Sequence, residues 1–148
     1  MNVKSLLAGA VLVASLSGAA LAADDGWENN SDYTRHFDHK TIVTVTGTVE
    51  KVDRKCIPLK GMEPGFAAII KTDKGEHVEV QVGPVWFTSF YHHRWNAQIG
   101  DRVKVVGSKV TLNGHPAIMA MYGEKGKLKM TVRNPAGAPV WDFPVEGF

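Results

Sequence analysis

From Thr41 onward the chain alternates. Val43, Val45, Gly47 and Val49 fall on one side of an extended segment, and Thr44, Thr46, Thr48 and Glu50 on the other. A period of two residues describes a β-strand with one buried face, and Gly47 sits where a strand of a small barrel bends sharply. The same grammar continues downstream. Cys56–Gly65, with Pro58, Gly61 and Pro64, is a connector, followed by a strand over Phe66–Thr72, the turn Asp73-Lys74-Gly75 and a strand over Glu76–Val82. In the third strand Val78, Val80 and Val82 face inward and His77, Glu79 and Gln81 outward, so the pair reads as a hairpin. Gly83-Pro84 stops it. Val85–Ile99 loses the alternation and places Trp86, Phe87, Phe90, Tyr91 and Trp95 at spacings near three and four, which predicts a short aromatic-rich helix. Trp86 and Phe90, with Trp95, are then expected to cap an open barrel end. Strands over Arg102–Val110, His115–Tyr122 and Lys127–Val132 follow, separated by Leu112-Asn113-Gly114 and Lys125-Gly126.

Strand, strand, strand, helical link, strand, strand is the order of the OB-fold. The expected fold is therefore mainly β, a five- to six-stranded Greek-key barrel with a short helix between strands three and four. Thr46-Gly47-Thr48-Val49, Val82-Gly83-Pro84-Val85-Trp86 and Ile99-Gly100-Asp101-Arg102-Val103-Lys104-Val105-Val106-Gly107 resemble recurrent signposts of exported bacterial OB-fold proteins. The resemblance spans roughly Thr41–Val132. It implies the fold and leaves function open, because this superfold hosts binders of metals, nucleic acids, sugars and proteins. The expected organisation is a signal peptide over 1–22, an acidic, loosely docked arm over 23–40, the barrel over 41–133 and a tail over 134–148 that packs on it.

The signal reading rests on Lys4, the apolar run Leu6–Leu21 and the small-residue exit Ala20-Leu21-Ala22. Cleavage after Ala22 leaves 148 − 22 = 126 residues, one compact domain, too few for a TIM barrel or a two-domain clamp. An uncleaved anchor is the competing reading, although the run is short against the roughly 20 residues a span needs. The expected location is periplasmic or secreted, with no stable membrane insertion after cleavage. Removing Lys4 leaves 16 Lys+Arg against 15 acids, a balance that disfavours duplex nucleic acid as partner. The cations gather in Arg102–Arg133, as Arg102, Lys104, Lys109, Lys125, Lys127, Lys129 and Arg133. They read either as solvated strand faces or as a patch for an acidic partner that the arm covers. Cys56, the single cysteine, excludes an internal disulfide, c-type haem attachment and iron–sulfur clusters.

Candidate ligand-binding residues are Trp86, Tyr91, His92, His93, Arg94 and Trp95, since this aromatic and imidazole density exceeds what a barrel plug needs. Candidate metal ligands are His36 and His39, which share a face if helical, His92 and His93, and Met119 with Met121. The methionine pair is similar to the Met-x-Met of small periplasmic copper-binding barrel chaperones, whose thioethers suit Cu(I). The tryptophan that precedes that pair in the family is absent here, and methionines in barrel strands also serve as core filler. The His-x-x-x-Tyr run of the haem chaperone of cytochrome c maturation is absent. Ser89 lacks a nucleophile elbow, and Cys56 has only Lys55 to activate it. The sequence thus predicts a non-enzymatic, exported binding module for a protein or small anionic ligand, working without a cofactor. The alternatives are a copper-, zinc- or nickel-binding protein and, ranked lower, a single-stranded nucleic-acid binder using stacking aromatics.

Overall fold

The structure, a computed structural model, describes residues 25–90 and 97–142 of the 148. Residues 1–22, where a signal peptide is expected, lie outside the described residues, as does the end of the tail. Short 3-10 turns at Thr34–His36 and His39–Thr41 lead into β1 (Ile42–Cys56), β2 (Gly65–Thr72), β3 (His77–Pro84) and α1 (Val85–Phe90). β4 (Arg102–Leu112), β5 (His115–Lys125) and β6 (Leu128–Thr131) follow, then a 3-10 turn at Val140–Asp142. Among the described residues no helix is long and apolar enough to cross a membrane.

β1 is the shared member. Its first half pairs antiparallel with β4, from Ile42↔Ser108 to Thr48↔Arg102, and its second half with β2, from Gly47↔Thr72 to Cys56↔Gly65. β2–β3, β4–β5 and β5–β6 are antiparallel. A short parallel contact between β3 and β5, Val80↔Ile118 and Gln81↔Met119, closes the cylinder. This pairing, with α1 between β3 and β4, is the OB-fold topology, and β6 is added at the edge of β5. Gly47 pairs with both Thr72 and Val103, and a Cβ there would collide with the Lys71 carbonyl, so the strand that changes partners needs glycine at the crossing.

Inside the barrel, Val49, Phe66, Ile70, Val80, Val105 and Ile118 form a core that Phe87 of α1 closes. Each such side chain contributes roughly 1.5–3 kcal/mol by leaving water. The plug differs from the sequence expectation. Phe87 is buried, whereas Trp86 remains 55% exposed, because a six-residue helix turns only one aromatic of an adjacent pair toward the barrel.

A second core lies outside the barrel and corrects the picture of a loose arm. Trp27 and Tyr33 are fully buried and pack with Met62, Val110, Leu112, Ala117 and Met119. The two rings meet edge-on, 4.9 Å between centroids at 67°. Trp27 Nε1 donates to the Glu63 carbonyl (2.8 Å), and Trp141 Nε1 donates to the Trp27 carbonyl (2.9 Å). Gln81, expected on the wet face of β3, is buried beneath the arm and accepts from the Tyr33 hydroxyl at 2.7 Å. Arg133 is also withdrawn from the expected basic patch. It is 1% exposed, its Nη1 donates to the Gly137 carbonyl (2.7 Å) and Thr34 Oγ1 (3.2 Å), and its guanidinium lies 5.6 Å from the Tyr33 ring and 5.2 Å from that of Trp141.

Removing a ring from this outer core leaves a cavity, whereas removing one from the surface does not. Trp27→Ala is expected to lower unfolding free energy by about 3–5 kcal/mol, and Trp86→Ala by less than about 1 kcal/mol. Denaturant titration of both variants measures the contrast, and equal losses would mean that the arm is not docked.

Candidate functional site

In OB-folds, ligands bind across β2 and β3, between the β1–β2 loop and the β4–β5 loop. Here that groove holds the protein's own side chains. The β1–β2 loop contributes Leu59 and Met62, the ends of the β4–β5 hairpin contribute Val110, Leu112 and Ala117, and Trp27 and Tyr33 fill the space between. The fit is close enough that a Cβ on Gly65, the first residue of β2, would collide with the Trp27 ring. Binding through the usual face would require the arm to leave.

What stays exposed lies at the α1 end. Asp25 accepts from the Trp27 backbone N–H through Oδ1 (2.8 Å) and from Trp86 Nε1 through Oδ2 (2.9 Å). The Trp86 indole is therefore held in place with its donor satisfied and more than half its surface open, a geometry suited to stacking or apolar contact. Beside this end, β6 approaches the barrel and leaves an apolar opening of about 30 Å³ bordered by Val82, Ala97, Leu128 and Met130. The remaining predicted ligand residues, Tyr91, His92, His93, Arg94 and Trp95, lie outside the described residues.

The basic stretch of β4–β6 is smaller than its sequence suggests. Arg102 makes a two-point contact with Asp73, at 2.9 and 2.7 Å, and this hydrogen bonding holds the Asp73 carboxyl below the ordinary carboxylate range. Lys125 Nζ is 2.7 Å from Asp101 Oδ2, and that contact, helped by the Gln98 backbone N–H, lowers the Asp101 pKa. With Arg133 buried, the exposed cations that remain are Lys104, Lys109, Lys127 and Lys129, the last with Nζ 4.0 Å above the Tyr122 ring.

Among the described residues the predicted metal ligands do not come together. His36 and His39 lie on separate 3-10 turns, and the extended backbone of Phe37 and Asp38 between them removes the helical face they were expected to share. His36 Nδ1 lies 2.9 Å from the Asp32 carbonyl oxygen. Met119 is fully buried in the outer core. Met121 falls at a bulge, where the β4–β5 register passes from Val106↔Tyr122 to Gly107↔Ala120 and leaves it without a partner, so simple alternation no longer relates the two. His92 and His93 lie outside the described residues. Two histidines outside that ligand set do meet carboxylates: His77 Nε2 is 2.8 Å from Glu50 Oε1, and His115 Nε2 is 3.2 Å from Glu79 Oε1. Each pair joins different strands, so only the register reveals it. Among the described residues no three His, Cys, Asp or Glu side chains gather as a metal site.

Cys56 is half-buried, and Lys55 beside it does not activate the thiol. Burial, then the charges of Glu79 and Asp53, push its pKa up to about 12. Burial likewise raises that of Tyr33. Both groups release their protons earlier in the unfolded chain than in the fold, so above about pH 9 the unfolded state binds fewer protons and stability falls as pH rises. Thermal unfolding from pH 7 to 11 should show this decline, with a smaller slope in Cys56→Ala. An unchanged slope would mean that the thiol ionises normally.

The fold and this arrangement stand beside three comparisons. No curated protein matches the sequence. Among solved structures, the dimeric N-terminal domain of PriB from Thermoanaerobacter tencongensis is 18% identical, with a TM-score of 0.41, over 64% of this chain and 99% of that one. A chain of the S. pombe Stn1-ten1 complex is 14% identical, with a TM-score of 0.46, over 68% of this chain and 79% of that one. A family model matches residues 41–130, from the turn before β1 into β6. The chain belongs to the MamS/MamX magnetosome protein family.

Proposed function

We propose that this protein is an exported, non-enzymatic binding module serving the magnetosome, and that it engages an acidic protein surface through its α1 end and the lysines of β4–β6. One observation carries the reading. Trp27 and Tyr33 fill the groove that OB-folds ordinarily offer, while Trp86 is held open at the neighbouring end by Asp25. A ring fixed in advance loses little conformational freedom on binding, which favours it as an anchor. Lys127 and Lys129, on and beside β6, supply the charge that would steer an acidic partner toward it. In this reading the barrel works without a cofactor and without chemistry of its own.

Fluorescein-labelled poly-L-glutamate, followed by anisotropy, is the direct probe. Wild type is expected to bind at low salt and to weaken as salt rises. Trp86→Ala and Lys127→Glu/Lys129→Glu should each weaken binding about tenfold, the equivalent of roughly 1.4 kcal/mol. Binding that ignores both variants would remove this surface from consideration. An oligothymidylate of equal length that binds more tightly than polyglutamate would replace the reading with single-stranded nucleic-acid binding.

A further inference from the structure

At the end of the barrel opposite α1 the strands part. β3 and β5 pair only at Val80↔Ile118 and Gln81↔Met119, and β2 leaves β1 at Gly47↔Thr72. The result is a groove of about 370 Å³ bordered by the consecutive residues Val43, Thr44, Val45 and Thr46, together with Val78, Lys74, Lys109 and Ile118. An adjoining groove of about 240 Å³ shares Glu76, Val78, Lys109 and Ile118 and adds Glu79, whose carboxylate meets His115. Four successive residues of one strand cannot all border a groove with a single face. The groove therefore runs along the edge of β1.

That edge carries unused hydrogen-bonding groups. The Thr46 carbonyl accepts from the Asp73 N–H at 3.1 Å, so residue 46 directs its backbone toward the β2 side. In an antiparallel strand the direction alternates by residue. Thr44 and Ile42 therefore point the same way, past the end of β2, where no described strand lies. Val43 and Val45 direct their backbone groups to β4 and their side chains toward Ile118 in the inner core. The other edge at this mouth, that of β5, is blunted by Pro116, which has no N–H to offer.

Charge selects the occupant. Lys109 lies opposite Ile118 in the β4–β5 register, on the inward side of its strand, and Lys74 stands on the β2–β3 turn. Among the described residues neither has a carboxylate at ion-pair distance. Asp73, the neighbouring acid, is taken by Arg102, and Glu76 is the one other acid bordering the groove. Two copies of this edge would bring their lysines together, which disfavours self-pairing. We infer that the free edge of β1 at Ile42–Val45 is a docking site for an extended acidic peptide. The peptide takes the place that β2 leaves at Thr72, setting an apolar side chain between Val45, Val78 and Ile118 and a carboxylate against Lys109 and Lys74. This is strand addition, in which the backbone supplies affinity and the alternate side chains supply choice.

The test uses the full chain and a fluorescein-labelled octapeptide of alternating valine and glutamate, with a valine–lysine octapeptide as control. The acidic peptide should bind and slow hydrogen exchange at the Thr44 amide. Thr44→Pro, which deletes a donor that β4 does not use, should weaken binding tenfold or more. Lys74→Glu/Lys109→Glu should do the same with an unchanged thermal midpoint, which guards against misfolding of the proline variant. Absence of binding at low salt, equal binding of the lysine peptide, or wild-type affinity in both variants would overturn the assignment. Protection of the Thr44 amide that grows with protein concentration alone would assign the edge to a second copy and overturn it equally.

Discussion

The burial of Trp27 against the outside of the barrel organises more of this molecule than any other single contact. Its indole N–H caps a carbonyl of the β1–β2 loop, its own carbonyl receives the indole of Trp141, and its ring lies over Gly65 and beside Tyr33. A buried tryptophan contributes a large apolar area but needs its N–H satisfied, and here both conditions are met by segments distant in sequence. The arm around Trp27, the β1–β2 loop and the segment around Trp141 are thereby held on one face of one sheet. The inner core would shape a barrel without this contact, but that face would stand open.

How much of this could be read in advance differs by element. The barrel was legible because strands announce themselves by alternation: Val43, Val45 and Val49 on β1, or Val78, Val80 and Val82 on β3, specify a buried face without reference to the rest of the chain. The Asn113-Gly114 turn was legible for a similar reason, since both residues adopt positive φ, 51° and 79°. The arm carries no period. Trp27 and Tyr33 sit among Asp, Asn and Ser, and their burial follows from tertiary packing that no local pattern encodes. The same holds for Gln81 and Arg133, polar residues whose partners come from the arm and the tail.

At the candidate sites the sequence identified residue types better than it placed them. Trp86 was singled out and is open, but Phe87 rather than Trp86 plugs the barrel, because the phase of a six-residue helix is set by how β3 delivers it. Met119 and Met121 looked equivalent until a bulge separated them, and bulges leave little mark on sequence. The seven cations from Arg102 to Arg133 read alike in one dimension. In three, two are ion-paired, one is buried, and Lys109 points into the barrel mouth.

The outer core also ties distant stretches of the chain into one contact. Trp27 and Tyr33 cover a surface that includes Met119, and the indole that caps Trp27 belongs to Trp141, 114 residues away. Loop-closure entropy opposes contacts of such high sequence separation, and the arm has its full binding surface only where β5 and Trp141 are in place. Loss of packing at either distant element therefore loosens the arm as well.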